Sequence, residues 1–341
     1  MKKSTTLYVL AFFCLLVMPH QAFAQRGGRS QGDTIPVRLA SPLPEHSDWG
    51  RALNRLSADW ARITNNKVFL DVRHNSAEGT ETQILSSLRA DNIQAGLLIA
   101  GGLAEVCPMS QNLSVPFQIR NEAELELVLH DVLPTLESHV KSDYVVIAWA
   151  NGGWVHIFSK DPIIVPDDLR RHKLAASFDA KDMNLAFRTI GFPMVETDIK
   201  DIGFKLNSNA INAVYLTPVL VAANMLHKNL PNMLKLPISP ILAAIVINRV
   251  TWNKFDSDQQ RKLVESTRRI ALEFDTVTPK LENTAINRMM TDGLKINAPS
   301  GAQIELWHNE ILKIMPSLIG TIYDRNLYQR ISGILEKSRN E

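Results

Sequence analysis

Cysteine is almost missing from this chain. Only Cys14 and Cys107 occur in 341 residues. Cys14 lies inside an N-terminal apolar run, so a chain processed after that run keeps one thiol and can form no internal disulfide, even in an oxidising compartment. Stability must then come from a hydrophobic core, and 45% hydrophobic residues can supply one. An excess of either charge is missing too. Lys and Arg total 37 against 35 Asp and Glu, a formal +2, with no basic patch that would suit nucleic acid or an acidic membrane surface. The nine His form no H-x-x-x-H or H-x-H pair with acidic neighbours at zinc spacing, which argues against a metal site. No G-x-G-x-x-G, no G-K-S/T phosphate loop and no G-x-S-x-G is present, so nucleotide chemistry and the common serine hydrolase turn have no local support. Long apolar runs are also absent beyond the N-terminus. Val214–Leu226 and Ile241–Ile247 are short or broken by Thr217, Pro218 and Asn224, well under the ~20 residues a membrane span needs.

The N-terminus itself is informative. Met1-Lys2-Lys3, the apolar run Leu7–Met18 and Ala22-Phe23-Ala24 make a secretory signal with a small-x-small cleavage site. The expected signal peptide is 1–24 and the expected mature start Gln25. Removing Lys2 and Lys3 leaves a charge of zero, and the apolar run is too short for an anchor. A polar leader at 25–34 follows, and the protein is expected to be exported and monomeric.

From Ile35 the pattern is α/β. Pro36–Ala40 alternates as a strand, and Trp49, Leu53, Leu56, Trp60 and Ile63 recur at helical spacing up to Asn65-Asn66. Lys67–Val72 is a second strand. Thr82–Ala90 and Ile93–Ala100 repeat the helix and strand, and Gly101-Gly102 reads as a turn. One or two helices are expected over Glu122–His139. Strands at Tyr144–Trp149 and Trp154–Ser159 flank an expected turn at Asn151-Gly152-Gly153. Pro166-Asp167-Asp168-Leu169 is a good opening for one helical turn, its carboxylates better suited to capping than to catalysis. A strand at Lys173–Ala176, a helix over Ser177–Ile190 and a strand at Met194–Glu196 follow. Leu242–Asn248 is an apolar strand. Trp252–Gln260 opens a long helix, with Asp256 or Ser257 as cap, bent near Pro279. Further helices close the chain from Gln303. Cys107 reads as a buried thiol.

Four segments, in this order, carry a resemblance: Pro116-Phe117, Pro162–Lys173, Leu206–Ala213 and Trp252–Gln260. Together they resemble the extracytoplasmic solute receptors of tripartite ATP-independent periplasmic (TRAP) transporters, the DctP-like receptors. The resemblance implies a two-domain periplasmic-binding α/β fold with hinge strands and a long helix spanning both domains. It divides the chain into domain I at 35–153, domain II at 154–243, a return strand and spanning helix at 244–290, and closing helices at 291–341. It implies no catalysis and no cofactor. Its partners would be a small molecule held in the cleft, TRAP membrane permease subunits and, in some systems, a tetratricopeptide-repeat helper.

This chain departs from the family at the pocket. The receptors' signature Arg, two residues after the Lys of the central motif, falls on Ala175, and their second Arg falls on Trp154. A polar position falls near Phe178 or Asp179, an aromatic wall near Ile199, and an Asn on Leu216 or Thr217. Tyr215 and Trp49 complete the expected lining. Without a bidentate Arg nothing offsets the desolvation of a buried carboxylate, so an apolar or amphipathic ligand is expected. Four other readings stay open: a carboxylate held by a relocated Arg188 or Lys181, a ligand sensor or scaffold with no permease, a secreted enzyme, against which the absence of an assembled motif counts, and the same apolar residues acting only as core.

Overall fold

The computed structural model describes residues 34–176 and 181–341, so the expected signal peptide, most of the leader, Phe178 and Asp179 lie outside the described residues. Ile35–Glu341 forms one compact unit. Its first elements follow local chemistry closely. β1 (Ile35–Ala40) leads to α1 (Asp48–Ile63), whose N-cap Ser47 accepts the Gly50 N–H. β2 (Val68–Arg73) precedes α2 (Glu81–Arg89), which opens with a capping box of Thr80 and Gln83. After β3 (Ala95–Ile99), Gly101-Gly102 makes no turn. It lies in the first turn of α3 (Ala100–Val106), where the Glu81 carboxylate accepts the Ile99 and Gly102 N–H groups. A carboxylate from another element thus starts a helix where the glycines alone suggested a reversal.

α4 (Glu122–Ser138) is one helix with Pro134 inside it. The strand after it corrects the sequence reading. Tyr144–Trp149 and Trp154–Ser159 are not separate strands around a turn but a single 16-residue β4 (Tyr144–Ser159). Its register against a neighbouring strand shifts between Asn151 and Trp154, so the Gly-Gly pair forms a bulge and the chain continues forward. α5 (Pro166–Leu169), β5 (Leu174–Ala176), α6 (Lys181–Thr189) and β6 (Met194–Glu196) follow. Asp168 accepts the Ile164 and Val165 N–H groups, the capping role expected of that acidic pair. Asn209 adopts φ +55°, the left-handed conformation for which Asn serves as the substitute for Gly. It lies between α7 (Ile202–Asn207) and β7 (Ala213–Leu216). α8 (Pro218–Ala223), β8 (Asn232–Leu234), β9 (Ser239–Asn248) and α9 (Arg249–Trp252) lead to the long α10 (Ser257–Thr291), capped by Asp256 with Gln259. At 35 residues it is about 50 Å long. β10 (Lys295–Asn297), α11 (Gly301–Leu318) and α12 (Arg325–Asn340) complete the chain.

The sheet runs β2-β1-β3-β9-β4-β7-β5-β6, with β8 pairing both β4 and β10. β1 is parallel to β2 and β3, β5 is parallel to β6 and β7, and β4 and β9 run antiparallel to their neighbours. Each half of the sheet carries its own core on both faces. Trp60, Leu53 and Phe274 pack on one face of the first half, and Leu88, Val128 and Ile331 on the other. Phe187, Phe192 and Trp307 pack on one face of the second half, and Phe158, Leu206 and Met289 on the other. α10 contributes to both halves, through Phe274 and Met289. Cys107 is fully buried, its thiol pushed up by burial. Among the described residues no helix is long and apolar enough to cross a membrane.

Candidate ligand-binding site

The bulge in β4 is where the strand passes from one half of the sheet to the other, and four side chains hold it. Asp275 Oδ1 accepts the Asn151 N–H at 2.7 Å, and Thr278 Oγ1 donates to the Asn151 carbonyl at 3.4 Å. Glu282 Oε1 accepts the Trp154 N–H at 2.7 Å. These three residues recur at helical spacing on α10, so one stripe of the helix faces the bulge. From α4, Glu122 takes the Trp154 indole N–H at 2.5 Å and the Asn151 amide at 2.9 Å. The Asn151 side chain also accepts the Gly153 N–H at 2.8 Å. The Asn151, Gly153 and Trp154 N–H groups thereby find acceptors within the protein, as buried backbone donors must.

Burial sets the electrostatics. It raises the Glu282 carboxyl to about 7, with the Glu122 charge adding to the rise against the lowering effect of the Trp154 N–H. It raises Asp275 as well, against the Asn151 N–H. It pushes His156 down to about 4, so that imidazole is neutral at ordinary pH, with Nδ1 3.3 Å from the Leu234 carbonyl.

The sequence-expected residues divide into groups. Alternation puts Trp154, His156 and Phe158 on one face of β4. The pairing of His156 with Leu216 and of Val214 with Ala175 brings Leu216 and Ala175 to that face. Trp154 and Ala175 are buried, at 5% and 6% exposure. Thr217, directly after β7, is buried as the N-cap of α8. Tyr215 points to the opposite face. Its hydroxyl lies 2.9 Å from Ser239 Oγ and its ring meets Phe187 edge-on at 5.7 Å. Burial pushes its hydroxyl up to about 12. Ile199 opens a 3-10 turn and is exposed. Trp49 packs edge-on against Phe274 in the core of the first half, and its buried indole N–H has no acceptor within the described residues. Leu216 and Ala175 therefore share a face and one core cluster, Trp154 lies on the same face but packs in the core of the first half, Thr217 follows directly after Leu216, and Tyr215, Ile199 and Trp49 lie elsewhere.

Sequence reading missed Glu122, Asp275, Glu282 and His156. One signal pointed to Glu282. It continues the buried stripe Ile270, Phe274 and Thr278 of α10 at four-residue steps, and a carboxylate on an inward-facing stripe needs a partner from another element.

The fold defines a two-domain α/β binding protein with hinge strands and a long helix spanning both domains. A solute-binding protein of Ralstonia eutropha H16 solved with bound (S)-2-acetolactate superposes with TM-score 0.82, at 16% identity, covering 89% of this chain and 99% of that one. A TRAP periplasmic solute-binding protein of Sulfurospirillum deleyianum solved with bound succinate gives TM-score 0.80, also at 16% identity and with the same coverage. A solute-binding protein of Sulfitobacter sp. strain NAS-14.1 is 23% identical over 253 residues, 70% of this chain and 72% of that protein. The sequence model of the family described as bacterial extracellular solute-binding protein, family 7 (DctP), matches residues 39–319. The chain belongs to that family, which is one of solute-binding proteins and not of enzymes.

Proposed function

We propose that this protein is the periplasmic receptor of a TRAP-type secondary transporter. It captures a small apolar or amphipathic molecule between a first domain at 35–153 and a second at 154–243, and it delivers that ligand to membrane permease subunits. Export by a cleaved signal peptide belongs to the same reading, as does a monomeric state, with a tetratricopeptide-repeat helper as an optional partner. The observation that carries the ligand class is the pairing of Trp154 with Glu122 and Glu282. Where the resemblance places a guanidinium, this chain has an indole held by one carboxylate and a backbone N–H held by another. Ala175, at the other Arg position, offers no donor. A ligand carboxylate here would meet the Glu122 carboxylate, and the Trp154 and Ala175 side chains bring it no positive charge; the Lys181 side chain lies outside the described residues. Apolar contact, at roughly 25 cal/mol per Å² buried, can supply affinity without an ion pair.

The carboxylate-bearing ligands of the structural relatives favour a second reading, in which a relocated cation binds an acid. Arg188 fits that role poorly, because its guanidinium is half-exposed and lies 3.2 Å from Glu196. Native mass spectrometry of the purified mature protein, followed by extraction and identification of what is released, separates the two. A near-stoichiometric apolar or amphipathic molecule supports the first reading. Bound dicarboxylate or sugar acid, or calorimetric binding of succinate or D-glucuronate that is lost in Arg188→Ala, establishes the second.

A further inference from the structure

We propose that Glu282 and the Asn151–Trp154 bulge form a proton-operated latch on the hinge strand, engaged when Glu282 is protonated and loosened when it ionises. The geometry is that of a hinge. β4 crosses between the halves of the sheet at a bulge, and α10 grips it there at Asn151 and Trp154. Gly153, at φ +97°, leaves room for the Glu282 carboxyl directly above the backbone. Protonated, that carboxyl keeps a carbonyl oxygen for the Trp154 N–H and carries no charge. Ionised, it is a buried anion facing a second carboxylate, Glu122, and only separation of α10 from the bulge would hydrate it.

Among the described residues, the surrounding elements supply no cation to quench that charge. Glu122 is the titratable group that α4 brings to the bulge. On α10 itself Asp275 is another carboxyl, also raised by burial, and Lys280 is exposed. His156, two residues along β4, is held neutral by burial. α8 and β9 carry no titratable side chain. α1 reaches α10 farther towards its N-terminus, through Arg55 on Glu273 and Asp59 on Arg269. Burial places the Glu282 titration at about 7.

The test needs no ligand, so its failure is distinguishable from failure of the ligand assignment. Spin labels on Glu126→Cys in α4 and Ser208→Cys after α7, both exposed, report the separation of the halves. Cys107 is fully buried and does not label. Pulsed electron–electron resonance is recorded at pH 5.5 and pH 8.5. The wild-type distance distribution is expected to shift to longer separation at the higher pH. Glu282→Gln, near-isosteric and never charged, is expected to keep the pH 5.5 distribution at both. Glu122→Gln, which removes the neighbouring charge, moves the midpoint to lower pH. A wild-type distribution that does not change with pH overturns the latch, as does a Glu282→Gln variant that shifts like the wild type.

Discussion

A Cβ added to Gly153 would lie 2.5 Å from Glu282 Oε1. The absence of one side chain on β4 thus makes the seat for a carboxylate on α10, and the strand bends at the same residue. Close approach of backbone and carboxyl gives the helix its grip on the strand that joins the halves of the sheet.

Gly153→Ala therefore combines two penalties: a Cβ forced into a left-handed backbone at φ +97° and displacement of the Glu282 carboxyl. It is expected to destabilise the protein by about 2–4 kcal/mol. Gly203→Ala in α7, where a Cβ meets nothing within 4 Å, is expected to be neutral or to stabilise by up to about 1 kcal/mol. Urea unfolding of both variants checks the contrast. Equal effects would remove the argument for Gly153.

Glu282→Gln changes how stability depends on pH. The folded-state pKa, about 7, lies above the ordinary 4.5, so the folded state holds the proton more tightly than the unfolded chain does. The corresponding stability is fully present below the ordinary value and is lost as pH rises through about 7. The full loss is on the order of 3 kcal/mol, at 1.36 kcal/mol per unit. The variant lacks this loss, so its stability relative to wild type should increase from pH 5 to pH 8. Chemical denaturation at both pH values measures the difference, and a constant offset would contradict it.

Trp154→Phe keeps most of the buried ring but removes the donor to Glu122 Oε1. A partly buried carboxylate is left with the Asn151 amide alone, at an expected cost of about 1–3 kcal/mol. Trp154→Ala also opens a cavity in the core and should cost about 3–5 kcal/mol. Thermal unfolding of the pair, with Trp fluorescence as the probe, separates the lost hydrogen bond from the lost packing.

Arg339 ties the last helix to α4. Its Nε and Nη2 reach Glu124 Oε1 and Oε2, both at 2.8 Å, and Nη2 also donates to the Gln118 carbonyl. Burial alone would raise Glu124, but Arg339 and the Arg120 N–H outweigh it and hold the carboxyl below its ordinary value. This stability is present above the ordinary carboxylate range and is lost as pH falls through the lowered value. Arg339→Ala is expected to cost about 1–2 kcal/mol at neutral pH, the exposed guanidinium being partly screened by solvent, and the cost should shrink in acid. A cost that stays constant down to pH 3 would count against the pairing.

Much of the fold was legible because it is local. Asp256 announces the helix it caps, and Pro166 with Asp168 announces the short turn of α5. The apolar spacing of α1 and α10 shows the faces they bury. The misreadings fall where a residue from another element supplies the missing bond. Gly101-Gly102 begins a helix because Glu81 accepts the Ile99 and Gly102 N–H groups, and Gly152-Gly153 continues a strand because Asp275 and Glu282 take donors on either side of it. A turn and a bulge look alike in sequence, since both need glycine, and the carboxylates that decide between them on β4 come from α10, far along the chain.

The same division applies to the site. The sequence by itself determined that the Ala175 side chain cannot donate to an anion, because side-chain chemistry needs no fold to be read. Which of the expected residues share a face was decided only by the tertiary structure. Strand alternation turns Tyr215 away from Leu216, and β4–β7–β5 pairing sets Leu216 and Ala175 on one face. Glu122 and Glu282 could acquire their roles only there, since a carboxylate takes its pKa and its partner from burial beside groups that chain order keeps apart.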